Sequence, residues 1–526
     1  MTALQRAWQW LNSGSRAASA VDVVLVWSVV ALVAAWPVPD VNEPHYLCKA
    51  KHFWEPEWCA RDLFLESADS HAVFYATLGS VTHLLPLPTA ALVGRFVVWL
   101  ATAWGWRRLS VVVAPRFGCA ALSMAAALAI NRWGSMAGEW FIGGLEAKPL
   151  AYALVFCALA DVLSSRWRAA LLWLGAATAV HVVVGGWTAL AVGFVWLTSR
   201  GDRPSLRHLA PALAASAALA AFGLIPGLLL TRGVDAATVD EANVLVVGRR
   251  LVHHLYPPDF IGKYGVYFAT MYAVYGAWCL VIPADSPRRR LRWFVVAALG
   301  VCGVGLAIAF AGPGPTPWAA RLLKYYWFRL ADVAAPIALA LELAAIAATS
   351  VTAVAPRRQR LGAACSLLLM AGLGAWLLGT VANERRALIA PRGDRLQSPL
   401  EHPDWLLMCD WIRRETPTDA LFITPRLFQS FKWHTGRAEF ATWKDMPQDA
   451  ASQVEWIHRI DALHQTNYLW FQYMPLEPLL EICRRYDVDY LLAYREPTIA
   501  LPEVYRNNTF VIYAVPFSAR TGAARP

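Results

Sequence analysis

The segment from Pro37 to His71 contains an unusually dense set of carboxylates. Seven acidic residues occur in it against three Lys or Arg residues, and it directly follows a long apolar run. A charged side chain beside hydrocarbon is costly unless it faces water, a cation or a polar partner. A carboxylate in such a place can accept a proton from a substrate or ligate a metal ion. Asp40 and Glu43 are therefore the first candidates for a general base, and the same pair could hold Mg²⁺ or Mn²⁺.

Asp40 and Glu43 are expected to lie at the mouth of a membrane cavity, and two further groups of ionisable residues could face the same cavity. Glu139 and Glu146, close to Lys148, form a second acidic site or an ordinary ion pair at a helix start. Positive and titratable side chains recur in the segments 231–264 and 312–332, where arginine can bind a phosphate in bidentate fashion. The residues expected to bind phosphate are Arg249, Arg250, His253, His254, Lys324 and Arg329. His45, His181 and Lys148 are expected to line the cavity. A histidine placed like His181 is more often a satisfied buried residue, and His253 and His254 could instead belong to a loop turning at prolines.

The elements that must position these residues are membrane helices. Hydrophobic residues make up 57% of the 526 residues, charged residues 16%, and the mean hydropathy is +0.40, which is too apolar for an ordinary soluble protein. A membrane-spanning helix needs about 20 mostly apolar residues. About eleven runs approach this length: Ala20–Trp36, Thr89–Trp106, Phe117–Ile130, Leu150–Leu163, Ala169–Val184, Gly186–Leu197, Leu209–Leu230, Val266–Ile282, Phe294–Ala311, Val333–Val354 and Leu361–Val381.

Two segments are too short to span a membrane alone. Ala169–Val184 and Gly186–Leu197 are expected to form a hairpin whose tip, at Gly185-Gly186, stops inside the membrane region beside His181. His71–Leu85 is expected to form a helix at the membrane interface.

Arginine predicts the orientation, because short loops rich in Lys and Arg stay cytoplasmic. Every second connection is arginine-rich, for example at Arg107-Arg108, Arg166 and Arg288-Arg289-Arg290. This alternation predicts a cytoplasmic N-terminus, with the acidic loop and the C-terminal tail outside the cell. Much of the net charge of +10 is thus a topology signal, and no nucleic-acid partner is expected.

The composition becomes polar after the last apolar run, which predicts two domains: a membrane bundle at 1–382, including the acidic first outer loop at 37–71, and a small extracytoplasmic α/β domain at 383–526. Periodicity in the second domain predicts helices at 404–415 and 479–486 and strands at 420–424, 488–494 and 509–515. Its polar and aromatic side chains suit stacking on sugars or docking onto the bundle: Arg426, Trp433, Arg437, Trp443, Lys444 and Trp456. Two cysteine pairs outside, Cys48 with Cys59 and Cys409 with Cys483, could form disulfides, and no CxxC motif indicates zinc.

Asp40 and the string Asn42-Glu43-Pro44-His45-Tyr46 resemble the first outer loop of the GT-C superfamily of membrane glycosyltransferases. This superfamily includes protein O-mannosyltransferases and the aminoarabinose transferases of lipid A. The layout of nearly the whole chain also resembles it: a first span, an acidic outer loop, about eleven helices and an outer C-terminal domain. The segment GLEAKPLAY at Gly144–Tyr152 is similar to a recurring feature of these enzymes, which favours a functional Glu146. Asn42 stands where the family often has an acidic residue, so Glu43 alone or Glu43 with Asp40 must act as the general base.

The resemblance implies an inverting glycosyltransferase in a bacterial inner membrane. Its donor would be a sugar linked to polyprenyl phosphate, its acceptor a glycan, lipid or protein outside the cytoplasm, and membrane lipid would surround it. Two alternatives stay open: a transporter or flippase of lipid-linked intermediates, which would predict ionisable residues at the membrane midplane and internal symmetry, and a membrane protein that binds a surface polymer without catalysis.

Overall fold

The structure is a computed structural model that describes residues 3–349, 356–388, 394, 401–464 and 470–518. Its first part is entirely helical. The helices are, in order, α1 Ala3–Leu11, α2 Arg16–Ala34, α3 Glu43–Trp54, α4 Leu63–Glu66, α5 Ala72–Ala76, α6 Val81–Leu84, α7 Leu87–Val113, α8 Cys119–Gly134, α9 Ala147–Leu163 and α10 Trp167–Val180. They continue with α11 Val182–Thr198, α12 Leu206–Leu229, α13 Ala236–Leu245, α14 Val252–Leu255, α15 Pro257–Val281, α16 Ser286–Ala309, α17 Pro317–Leu323, α18 Arg329–Thr349 and α19 Arg357–Arg386.

Each of the apolar runs found in the sequence lies mainly within one helix, which confirms a helical bundle. Six helices in the described part of the chain are long and apolar enough to cross a membrane: α2, α7, α12, α16, α18 and α19. Helix α18 is 94% buried over its most apolar window, against 17–50% for the other five, so it forms the centre of the bundle. Its many alanines allow neighbouring helices to approach closely. The expected end of its run at Val354 lies outside the described residues.

The predicted hairpin is present, but its tip was placed wrongly. Helices α10 and α11 meet at His181, whose φ of −149° and ψ of 99° break the helical path. The His181 side chain caps α11 by accepting a hydrogen bond from the backbone N–H of Val184. A Cβ on Gly185 would lie 2.3 Å from the backbone nitrogen of Thr178, so this glycine permits the two helices to approach at the turn. The apolar run alone could not show that the break precedes the glycines.

The arginine-rich helix ends contact one another through buried acids. Arg107 of α7 pairs with Asp22 at the start of α2 at 3.2 Å, and Arg108 pairs with Asp161 at the end of α9 at 2.9 Å. Arg166, in the next connection, also pairs with Asp161 at 2.6 Å. These contacts gather the predicted cytoplasmic connections at one end of the bundle, while the side of the membrane that they face stays a prediction.

The first outer segment folds into short helices above the bundle. Helix α3 begins at Glu43 with Pro44 in its first turn, where proline is favoured because its missing N–H has no intrahelical partner. The expected single helix over 71–85 is wrong: the chain forms α5, a 3₁₀ turn at Leu78–Ser80 and α6. All cysteines that the structure describes are free thiols, including the four considered for disulfides.

The C-terminal domain contains a mixed five-stranded sheet in the order β2-β1-β3-β5-β4. Its elements are α20 Glu401–Glu415, β1 Leu421–Ile423, α21 Phe431–Thr435, β2 Ala438–Glu439, α22 Ala450–Leu463, α23 Leu476–Tyr486, β3 Tyr490–Tyr494, β4 Glu503–Arg506 and β5 Phe510–Ala514. Strands β2, β1 and β3 run parallel, whereas β5 is antiparallel to β3 and β4. The predicted helices and the three predicted strands are confirmed, and β2, β4, α21 and α22 are additional. Helix α19 continues past residue 382, the predicted end of the bundle, to Arg386.

One face of the sheet packs on α20 and the other faces the bundle. Trp405 and Ile412 of α20 pack with Phe422 and Phe510 in a separate core, whereas Leu491 on the opposite face belongs to a core continuous with the bundle. A sheet covered on both faces is hydrophobic throughout, which explains why β1 and β5 have no exposed residue.

A buried lysine joins the C-terminal domain to the first outer segment. The Lys432 ammonium lies 2.7 Å from Glu439, 2.8 Å from Asp445 and 3.2 Å from Asp62. All four side chains are at most 2% exposed. Burying three carboxylates is tolerable only beside a cation, so this cluster holds the domain against the segment that carries the candidate site.

Candidate functional site

Glu43 begins α3 and is completely buried against Arg95 of α7. The Arg95 Nε and Nη2 atoms each lie 2.6 Å from a different oxygen of the carboxylate. Backbone N–H groups of Leu145 and Asp40 donate to the same oxygens at 2.9 and 2.8 Å. A Cβ on Gly144 would lie 2.7 Å from Glu43 Oε1, so glycine is needed there. All four acceptor positions of this carboxylate are therefore occupied.

Asp40 and Glu146 lie beside this pair, because the backbone N–H groups of Asp40 and of Leu145, the neighbour of Glu146, both donate to Glu43. Asn42 donates a hydrogen bond to Glu146 at 3.0 Å, so the first outer loop contacts the start of α9 a second time. Both carboxylates are buried, with Asp40 2% and Glu146 3% exposed. Burial raises the pKa of Glu146, and the charge of Asp40 adds to this, whereas Lys148 and Lys444 oppose it. The structure thus brings the two predicted acidic sites together.

Glu139 anchors a group of cations on the same side of the site. Its carboxylate lies 3.1 Å from Arg329 and 3.3 Å from Lys148, and it accepts a hydrogen bond from Tyr152 at 2.9 Å. The Arg329 guanidinium also lies 3.5 Å from the ring centroid of Tyr326. These contacts hold Arg329 and Lys148 in defined positions close to Glu146.

Asp332 shapes the loop that carries Glu139. It accepts hydrogen bonds from the backbone N–H groups of Met136 and Ala137 at 2.8 Å and from that of Glu139 at 3.2 Å. The hydroxyl of Ser135 donates to it at 2.8 Å. A completely buried carboxylate with four donors fixes this loop on α18, so Asp332 holds Glu139 in its position in the site.

Of the other predicted phosphate ligands, Arg250 and the two histidines lie near this group. Arg250 donates from Nε to the carbonyl oxygen of Trp443 at 2.7 Å. His254 lies 2.6 Å from the carbonyl oxygen of Ala137 through Nδ1, and its ring is 4.1 Å from that of His253. Burial, reinforced by the charge of Arg329, lowers the pKa of His254 to about 2, so this ring is neutral and donates its Nδ1–H.

Two predicted phosphate ligands lie elsewhere. Arg249 forms an ion pair with Asp461 of α22, and both side chains are almost half exposed. Lys324 caps the end of α17, where its ammonium lies 5.4 Å from the ring centroid of Tyr325 and its charged neighbour is Arg321. Among the residues that the structure describes, neither Arg249 nor Lys324 contacts Asp40, Glu139 or Glu146.

The predicted cavity histidines occupy two different surroundings. His45 of α3 forms a 3.0 Å contact with Asp445 of the C-terminal domain and stacks on Phe64. Although burial opposes it, Lys432 and His45 hold the pKa of Asp445 well below its usual range. His45 therefore belongs to the buried cluster that docks the C-terminal domain.

His181 and His71 form a second histidine pair. Its ring lies 5.3 Å from that of His71, and His71 Nδ1 lies 2.8 Å from Asp69. Tyr46 packs on His71 with ring centroids 5.3 Å apart. The hairpin tip thus touches the end of the acidic segment, at the edge of the group formed by Glu146 and Arg329.

Two spaces lie around these residues. A narrow void between α9, α11 and α18 is lined by Tyr152, Val184, Trp187 and Arg329. A groove of about 1020 Å³ lies between residues 51–59, the start of α7 and the C-terminal domain. Trp433 and Arg437, which were considered for stacking on sugars or docking, line it.

Asp40 and Glu43 do not fit a divalent cation. Each oxygen of Glu43 already accepts one bond from Arg95 and one from a backbone N–H. Mg²⁺ or Mn²⁺ would have to replace these donors and would lie close to the Arg95 guanidinium. Across the described ranges, the structure has no group of three or more His, Cys, Asp or Glu residues arranged to hold a metal.

Three residues of the site were not predicted to belong to it, and of these only Lys444 was considered, for stacking on sugars or docking. Arg95 is the one Arg, Lys, Asp or Glu residue in the expected span Thr89–Trp106, and an ionisable residue inside an apolar run is a signal for a buried partner. Asp332 opens the apolar run of α18 and carries the same signal. Lys444 has no such signal, because only the docking of the C-terminal domain brings it near Asp40 and Glu146.

Comparisons with known proteins find similar structures that cover most of the chain. The crystal structure of ArnT from Cupriavidus metallidurans bound to undecaprenyl phosphate has 13% sequence identity and a TM-score of 0.48, and the match covers 96% of this chain and 98% of that one. For ArnT in the apo state the identity is 13% and the TM-score 0.47, with 100% of both chains covered. An oligosaccharyltransferase from Archaeoglobus fulgidus, in complex with Zn and sulfate, has 12% identity and a TM-score of 0.42 over 90% of this chain and 67% of that one.

Sequence comparisons are less extensive. Residues 403–463, within the C-terminal domain, match a family described as a domain of unknown function, DUF6798. No curated protein matches the chain significantly.

Proposed function

We propose that this protein is an integral membrane glycosyltransferase of GT-C type that moves a sugar from a polyprenyl-phosphate donor to an acceptor outside the cytoplasm. The observation that carries the proposal is the grouping of Asp40 and Glu146 with cations from other segments of the chain. Lys444 has both acids and Arg250 as charged neighbours, and Glu139 holds Arg329 and Lys148 on the side of Glu146. Carboxylates beside guanidinium groups suit a reaction that removes a proton from an acceptor and stabilises a departing phosphate.

Asp40 is the proposed general base. Glu43 is poorly suited to this role, because removing a proton from a substrate would require a carboxylate oxygen that Arg95 and two backbone N–H groups already occupy. Its proposed role is to position the loop that carries Asp40. Glu146 is held by Asn42 and completes the acidic side of the site.

The proposed reaction is a direct displacement. Asp40 takes the proton of the acceptor hydroxyl while the hydroxyl oxygen attacks the anomeric carbon. The bond from that carbon to the phosphate oxygen breaks. The phosphate leaves with the bonding electron pair and is stabilised by Arg250 and Arg329. Attack opposite the leaving group inverts the configuration at the anomeric carbon. No step passes through a metal at Asp40 and Glu43.

The proposed location follows from the arginine-rich connections and the apolar helices. The bundle lies in a bacterial inner membrane with a cytoplasmic N-terminus, and the C-terminal domain lies outside the cytoplasm. The glycan, lipid or protein acceptor would therefore approach from the extracytoplasmic side.

The proposal is tested with the purified full-length protein in lipid nanodiscs and sugar-linked polyprenyl phosphates as donors. We expect Asp40→Asn to abolish release of free polyprenyl phosphate, whereas Glu57→Gln, at an exposed acid of the same segment, keeps the wild-type rate. Monodisperse elution of both variants would show that insertion and folding are intact. Wild-type rates in Asp40→Asn, or polyprenyl-phosphate release without inversion, would overturn the assigned mechanism.

A further inference from the structure

The segment Trp443–Asp445 of the C-terminal domain is held on both sides of Lys444. The carbonyl oxygen of Trp443 accepts the 2.7 Å hydrogen bond from Arg250. The carboxylate of Asp445 contacts Lys432 at 2.8 Å and His45 at 3.0 Å. The backbone at Lys444 is thus fixed between the bundle and the first outer segment.

The Lys444 side chain has no polar partner in this arrangement. Among the residues that the structure describes, no hydrogen bond or ion pair involves its ammonium group. Its charged neighbours are Arg250, Glu146, Asp445 and Asp40, all beyond ion-pair distance. Burial and the charge of Arg250 lower the pKa of Lys444.

Three other cations, Lys432, Lys148 and Arg329, do contact carboxylates. Lys432 contacts three carboxylates, and Lys148 and Arg329 both contact Glu139. Arg250 donates to a backbone carbonyl and has no carboxylate partner in the described ranges. Lys444 and Arg250 are therefore neighbouring cations, and in the described ranges neither is within ion-pair distance of a carboxylate. Two partly exposed positive charges side by side favour the binding of an anion.

We propose that Lys444 binds the phosphate of the polyprenyl-phosphate donor together with Arg250, so that the C-terminal domain completes the donor site. This inference rests on the proposed function, because it names a further ligand of the same site. The bundle supplies Arg250 and Arg329, the docked domain supplies Lys444, and Asp40 and Glu146 lie on the acceptor side. A phosphate between Arg250 and Lys444 would satisfy both cations in one contact.

The test measures binding rather than transfer, so that it does not depend on sugar or acceptor. Full-length protein in nanodiscs is titrated with a polyprenyl monophosphate, with the matching polyprenol and with inorganic phosphate. The variants are Lys444→Ala, Lys444→Gln and Lys444→Arg. Lys51→Ala is the matched control, because Lys51 pairs with Glu55 at 2.7 Å and has no place in the proposed site.

We expect Lys444→Ala and Lys444→Gln to weaken binding of the polyprenyl monophosphate about tenfold or more, the value of one charge-assisted contact. Lys444→Arg should stay within a few fold of the wild type, and Lys51→Ala should be unchanged. Polyprenol binding should be the same in all variants. If Lys444→Ala folds poorly, Lys444→Gln keeps most of the side chain with a polar end and removes the charge.

Three results would overturn the inference. One is wild-type affinity for the polyprenyl monophosphate in Lys444→Gln. Another is an equal loss of affinity for polyprenol, which would show that Lys444 only supports the fold. A Lys444 dependence seen with inorganic phosphate but not with the lipid would also exclude the lipid donor as the source of the anion. Absence of sugar transfer alongside Lys444-dependent lipid binding would contradict the proposed function and leave this inference standing.

Discussion

Arg95 and Glu43 form a bidentate ion pair, with two nitrogen–oxygen distances of 2.6 Å, between the first outer loop and helix α7. The Arg95 side chain also donates to the carbonyl oxygen of Trp36 at 2.5 Å. One guanidinium therefore fixes the end of the first membrane helix, the start of α3 and, through Glu43, the backbone at Leu145. The geometry of the whole candidate site depends on this pair.

Removing Arg95 should destabilise the protein strongly. In Arg95→Ala the buried Glu43 carboxylate loses its countercharge, which costs roughly 3–5 kcal/mol in comparable buried pairs. The measurement is the midpoint of thermal unfolding in detergent, together with the monodisperse fraction in gel filtration. Arg132→Ala is the control, because its pair with Glu384 is exposed and should contribute about 1 kcal/mol or less. Equal midpoints for the two variants would show that the Arg95 pair does not hold the loop.

The adjacent arginines Arg249 and Arg250 should have opposite importance for the donor. Arg250→Ala removes a cation beside the site and should raise the donor KM about tenfold. Arg249→Ala breaks an exposed pair with Asp461 and should leave the donor KM unchanged. Initial rates at varied donor and fixed acceptor concentration separate the two. A higher KM in Arg249→Ala than in Arg250→Ala would contradict this arrangement.

His254 should make the stability depend on pH. The folded protein keeps this histidine neutral, with its pKa lowered to about 2 from 6.5, while the unfolded chain takes up the proton. The contribution is complete above pH 6.5 and is lost as the pH falls below that value, at up to about 1.4 kcal/mol per pH unit. Chemical unfolding of wild type and His254→Asn at pH 7 and pH 5 measures it. The variant should lose less stability on acidification than the wild type, and an equal loss would show that His254 is not the group responsible.

Lys432 should control how the C-terminal domain docks. Lys432→Met leaves the carboxylates of Asp62, Glu439 and Asp445 buried without their shared cation, so the domain should separate more readily from the first outer segment. Limited proteolysis should cut the variant faster between bundle and domain. Adding Glu439→Gln should restore part of the resistance, because it removes one of the repelling charges. Wild-type resistance in Lys432→Met alone would contradict the docking role.

The sequence predicted the elements well where a strong local pattern existed. Long apolar runs coincide with helices because a run of that length can bury its backbone only by bonding within itself. The helices and the three predicted strands of the C-terminal domain also follow from local periodicity. The short β2 and β4 and the exact turn between α10 and α11 were missed, since two to four residues, or one residue such as His181, carry little periodic signal.

The sequence by itself determined the apolar bundle, the acidic first outer loop and the polar C-terminal domain, because composition and periodicity are local properties. Only the tertiary structure decided which charges meet. Glu43 and Arg95 are 52 residues apart, and His45 and Asp445 are 400 residues apart. The physical reason is that the cost of burying a charge is offset by whichever opposite charge lies nearest in space, and spatial neighbours of this kind are selected by helix packing and domain docking.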